Sequence, residues 1–144
     1  MKLSKTWFIS ALVLCLSANV YATQSSANYL TAKRYSLGGK VTGEITAYQV
    51  NGQTKYKATR FTYNPQGLQT KAEYGYLSQW KDDSIAPKDW GNAFVAKFSK
   101  VSSYTSSGLV EFEYTEEANG TKHSAIQYSY DEHDRLKCKT TRMN

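Results

Sequence analysis

The sequence predicts an all-β fold: an antiparallel meander of successive β-hairpins with one loop or short-helix insertion around residues 77–96. Three observations carry this. Aromatic residues recur at period two, in Phe61/Tyr63, Tyr74/Tyr76, Phe112/Tyr114 and Tyr128/Tyr130, which is the spacing of one strand face. Turn signals separate these runs. A tyrosine followed four residues later by a glycine, or once by an aspartate, recurs at Tyr35, Tyr63, Tyr104 and Tyr130.

The elements follow in chain order. Residues 1–22 read as a secretory signal peptide: Lys2 and Lys5, then the apolar run Trp7 to Leu16, then Val20-Tyr21-Ala22 as a cleavage site. The run is shorter than the roughly 20 residues that span a bilayer. Cleavage after Ala22 leaves 23–144 as one β-hairpin domain with no membrane span. It also lowers the formal charge from +6 to +4 by removing two lysines. The remaining Lys and Arg are spread along the chain, so no nucleic-acid face is expected.

Asn51-Gly52 separates Glu44–Tyr48 from Lys55–Tyr63, and Asn119-Gly120 separates Leu109–Tyr114 from His123–Tyr130. Asn-Gly is the strongest short hairpin signal, because its turn asks both residues for positive φ. Pro65-Gln66-Gly67 plays the same part between Phe61–Tyr63 and Leu68–Tyr74. The stretch from Leu77 to Ala96 breaks the alternation. It holds Trp80, Trp90 and Ala86-Pro87-Lys88-Asp89, so a short helical turn starts near Ser84 or Pro87. After the signal segment there are 11 Tyr, 4 Phe and 2 Trp against 14 Leu, Ile and Val together. That balance predicts an ordered chain whose core is built largely of tyrosine.

The repeat units begin at Tyr35 (with Gly39), Tyr63 (with Asn64 and Gly67), Tyr104 (with Gly108) and Tyr130 (with Asp131, Asp134 and Arg135). Each Tyr ends a strand. The next residue, Ser36, Asn64, Thr105 or Asp131, is a short polar side chain that bonds backbone N–H groups two residues on. The Gly, or Asp134, takes the left-handed conformation. This is turn chemistry, not catalysis.

Tyr128-Ser129-Tyr130-Asp131-Glu132-His133-Asp134-Arg135-Leu136 resembles the YD repeat of the bacterial RHS (rearrangement hotspot) family, and Arg60 to Leu68 is the next closest copy. The degenerate copies run from Tyr35 to Arg142, and the run from Leu30 to Asn144 is similar to a segment of large RHS-repeat proteins. Only the last copy has the Tyr-Asp pair, and it lacks the Gly. The resemblance implies hairpins wound into a continuous curved sheet. In full-length members that sheet surrounds a C-terminal toxin.

It further implies a structural or interaction module, and the signal segment implies export to the periplasm, cell envelope or medium. Such a module would be a remnant or accessory of a contact-dependent toxin system, partnered by protein or by further repeats. The alternative is a self-contained envelope domain binding glycan or peptide, with Tyr74, Phe112, Tyr114 and Tyr128 as its binding face. Cys138, alone after signal removal, would bridge to another chain or to sequence beyond Asn144. No catalytic site, cofactor or metal is expected. Asp131-Glu132-His133-Asp134 falls on a turn, Glu111 and Glu113 read as strand residues, and no phosphate-binding loop or zinc spacing is present.

Overall fold

The computed structural model describes residues 30–142; the expected signal segment 1–22 lies outside them. Eight antiparallel strands lie side by side in chain order in one sheet. They are β1 (Thr31–Tyr35), β2 (Val41–Val50), β3 (Gln53–Tyr63), β4 (Gln69–Leu77), β5 (Phe94–Tyr104), β6 (Val110–Glu117), β7 (Lys122–Tyr130) and β8 (Leu136–Arg142). The sheet does not close, so among the described residues β1 and β8 are its edges. No helix among them is long and apolar enough to cross a membrane. The expected all-β hairpin meander is therefore the observed fold.

Register separates the two faces. Ala32, Ile45 and Ala58 pair across β1, β2 and β3, and Leu77 pairs with Phe94 across β4 and β5. These residues point to one side, where residues 78–93 lie over the sheet as a cap. The insertion is thus narrower than 77–96: Leu77 and Phe94 belong to the ladder, and both are buried. Pro87 opens the first of two single 3₁₀ turns, Pro87–Asp89, and Gly91–Ala93 forms the second. Proline suits that position because its ring fixes the required φ and no N–H bond is lost there. Trp90, between the turns, is 2% exposed.

The core is Ile45, Ala58, Leu77, Trp90 and Phe94, with Tyr56, Trp80 and Ile85 packed against it. No tyrosine among the described residues is buried, so the expected tyrosine core is not what forms. The reason is the fit of the cap. Small residues let its rings approach the sheet. A Cβ on Gly43 would lie 2.5 Å from Pro87 Cγ and 3.0 Å from Trp90 Cη2. Gly75 sits where the β4–β5 register shifts, and a Cβ there would be 2.0 Å from the Val95 carbonyl oxygen.

Arg34 fastens the cap from β1. It is 5% exposed, donates to the Lys81 carbonyl at 2.9 Å, and lies 5.7 Å from the Trp80 ring centre. Burial lowers its pKa, against the opposing pull of Asp83 and Asp82. Ser84 donates both its amide and its hydroxyl to the Asp82 carboxylate, which lowers the pKa of that group and shapes the loop.

Candidate functional site

The four tyrosine turns share one geometry and lie at the same end of the sheet, joining β1 to β2, β3 to β4, β5 to β6 and β7 to β8. In each, the residue after the tyrosine donates its backbone N–H to the carbonyl of the residue four further on: Ser36 to Lys40, Asn64 to Leu68, Thr105 to Leu109, and Asp131 to Arg135. The fourth position is left-handed, with φ of 79° at Gly39, 78° at Gly67, 83° at Gly108 and 58° at Asp134. Glycine carries no Cβ penalty there, and aspartate tolerates it better than most residues.

The polar side chain after each tyrosine mainly caps the amide four residues on, not two. Ser36 Oγ accepts from Lys40 N at 3.2 Å, Asn64 Oδ1 from Leu68 N at 2.9 Å, Thr105 Oγ1 from Leu109 N at 3.1 Å, and Asp131 Oδ1 from Arg135 N at 3.0 Å. Only Asp131 also takes the amide two on, that of His133, at 2.9 Å. Its other oxygen accepts from Arg135 Nε at 2.8 Å. The Arg135 amide, then the His133 amide and the Arg135 side chain, hold the Asp131 carboxyl below its ordinary pKa. The Asn119-Gly120 hairpin is built like these turns as well. The Glu117 N–H donates to the Thr121 carbonyl and only Gly120 has positive φ, whereas at Asn51-Gly52 both residues do.

The tyrosine hydroxyls do something the spacing did not announce. Tyr63 Oη donates to the Val41 carbonyl, Tyr104 Oη to the Gln69 carbonyl, and Tyr130 Oη to the Val110 carbonyl, each at 2.6 Å. Val41, Gln69 and Val110 each lie six residues after the preceding repeat tyrosine. Each of these three tyrosines therefore ties its own hairpin to the start of the previous hairpin's second strand. The register between hairpins repeats too. Gly43 pairs with Arg60, Lys71 with Val101, and Phe112 with Gln127.

The ladder ends open at both sides. Tyr35 is 61% exposed, and its hydroxyl has no acceptor among the described residues. Leu136, six residues after Tyr130, is 58% exposed and receives no tyrosine among them. The signal that could have revealed this is the constant spacing from each repeat tyrosine to the first residue of its return strand.

The other expected residues fall as follows. Tyr74 and Tyr128 lie on the face opposite the cap, whereas Phe112 and Tyr114 lie on the cap side, with their rings 5.7 Å apart. The four do not form one face. Their ring faces are also occupied. Tyr74 stacks on Phe98 at 4.9 Å with Lys100 Nζ at 5.9 Å, Lys122 Nζ lies 4.8 Å from Tyr114, and Lys139 Nζ lies 5.6 Å from Tyr128. Tyr128 donates to Glu113 at 2.9 Å, and that bond raises its pKa.

Cys138 is a free, exposed thiol on β8, paired with Ser129 across the ladder. His133 sits exposed on the last turn, 3.6 Å from Glu132. Among the described residues no group of three or more His, Cys, Asp or Glu is placed to hold a metal ion. A cleft of about 570 Å³ opens between the cap and the tyrosine turns, lined among others by Tyr35, Thr42, Tyr63 and Pro87. Its charged groups already serve the fold: Arg60 bonds Glu73 at 3.2 Å and lies 4.3 Å from the Phe94 ring centre.

No protein-family model matches the chain, and no curated protein matches it.

Proposed function

We propose that the chain is an exported, non-enzymatic repeat module of the RHS/YD type, which works by extending its sheet with a protein partner or with further repeats. The observation that carries this is the tyrosine ladder. Three identical inter-hairpin ties end in a free donor at Tyr35 and a free acceptor at Leu136, on a sheet with two open edges among the described residues. Unpaired strand edges are templates for pairing with another chain. A non-enzymatic role is supported by the employment of the polar groups: Glu113 accepts from Tyr128, Asp131 holds a turn, and Arg60 and Glu73 pair.

The test is to mix the chain, purified after export, with an RHS-repeat polypeptide, then follow mass by light scattering and edge-strand amides by hydrogen exchange. A complex that protects β1 or β8 amides is the expected result. A chain that stays alone, with edge amides unchanged, rejects the reading. Cleavage after Ala22, read by N-terminal sequencing of exported material, tests the compartment separately.

A further inference from the structure

We propose that the β8 edge is a docking strand for an acidic, extended segment of another polypeptide that ends in tyrosine, with the pattern Glu-x-Glu-x-Tyr. The inference rests on the repeat-module reading and specifies the partner's chemistry at one edge.

The register between hairpins fixes the geometry. In all three inter-hairpin contacts, the residue eight after one repeat tyrosine pairs with the residue three before the next: Gly43 with Arg60, Lys71 with Val101, Phe112 with Gln127. The residue eight after Tyr130 is Cys138. An incoming strand that continues the ladder sets its tyrosine hydroxyl on the Leu136 carbonyl. Its third residue before the tyrosine then faces Cys138 and its fourth faces Lys139, while its second comes alongside Lys137, one step past the last pair of each inter-hairpin ladder. Main-chain bonds supply affinity in strand addition, and alternate side chains supply specificity.

The charge on β8 selects the occupant. Every residue of β8 is exposed, and it carries Lys137, Lys139 and Arg142 without an acidic residue. A second copy of this chain would bring β1, and its Lys33, two before Tyr35, would come alongside Lys137, one step past the last pair of that register. Like charges directly opposite are unfavourable, while opposite charges at those positions are favourable. The edge is therefore set against its own copy and suited to glutamate or aspartate at both lysine-facing positions.

The probe is a synthetic peptide with the sequence of residues 122–130 carrying I126E and Y128E, compared with the unaltered sequence and with I126K and Y128K. The exported chain binds the acidic peptide roughly tenfold tighter than the unaltered one. The chain variant Lys137→Glu with Lys139→Glu reverses that order. Both positions are exposed, so the fold is retained, and Lys137→Gln with Lys139→Gln removes the preference without reversing it. Cys138 reports the register. An acidic peptide with a thionitrobenzoate-activated cysteine at the Gln127 position releases the coloured thiol faster than one with the cysteine at the Ser129 position, because only a directly opposed pair reaches disulfide distance.

Equal binding of the three peptides, no effect of the lysine variants, or equal release from both cysteine positions overturns the proposal. So does a mass that doubles with concentration and returns to one chain in Tyr35→Phe, which would give the edge to a second copy. If the peptides fail while an RHS-repeat polypeptide still binds, only the acidic partner is refuted. If both fail, the module reading falls with it.

Discussion

The two ends of this sheet are built from the same hairpin, yet they are held by different forces. From β1 to β5 the sheet carries a cap, and every buried residue among the described ones lies in that part, at or before Ser99. From β6 to β8 nothing among the described residues covers the equivalent side, no residue is buried, and all seven residues of β8 are exposed. The turns nevertheless keep one geometry throughout. Backbone bonds, side-chain turn caps and the tyrosine ladder are thus sufficient to specify the hairpin. A core is needed only where a cap supplies apolar surface to bury, and burial is the larger energy where it is available.

The sharpest way to break this contrast is Trp90→Ala. It removes the ring at the centre of the capped half, and denaturant unfolding is expected to show a loss of about 3–5 kcal/mol. Phe112→Ala, which removes a half-covered ring beyond the cap, should cost about 1 kcal/mol. Equal losses would mean that the uncapped half is held as the capped half is. Gly43→Val comes next. Its added carbons meet Pro87 and Trp90, so it should cost about 1–3 kcal/mol by overpacking, and it should shift tryptophan emission to the red as the cap lifts.

The ladder sharpens the comparison at smaller scale. Tyr63→Phe, Tyr104→Phe and Tyr130→Phe each delete one hydroxyl bond and should each cost about 1 kcal/mol in urea unfolding, whereas Tyr35→Phe should cost nothing measurable. The smallest effect is on the fourth turn, and it depends on pH. The folded state depresses the Asp131 pKa. Its stabilisation is therefore present above the unfolded carboxylate value of about 3.9 and is lost as pH falls through the lower folded value. Amide shifts of His133 and Arg135 should move in that window, while those of Lys40, Leu68 and Leu109 stay still, because Ser36, Asn64 and Thr105 do not titrate in it.

The hairpins were legible because their causes are local. Asn51-Gly52 needs two residues that accept positive φ, and Gly39, Gly67 and Gly108 each sit where the turn demands the left-handed conformation. Alternation at Phe61/Tyr63 and Tyr128/Tyr130 marked strands for the same reason. The candidate site was legible only in part. The repeat positions were readable, but not what the tyrosine hydroxyls bond, since each acceptor lies on a strand 20 or more residues away. Phe112 and Tyr128 look alike in sequence, yet register puts them on opposite faces.

By itself the sequence determined the number and order of the tyrosine hairpins, because each is closed by residues within five positions of one another. The tertiary structure alone decided which side of the sheet is buried, why Gly43 and Gly75 must lack a side chain, and which tyrosine holds which strand. Those outcomes rest on contacts between groups far apart in the chain, where packing and register choose among arrangements that local preference leaves equal.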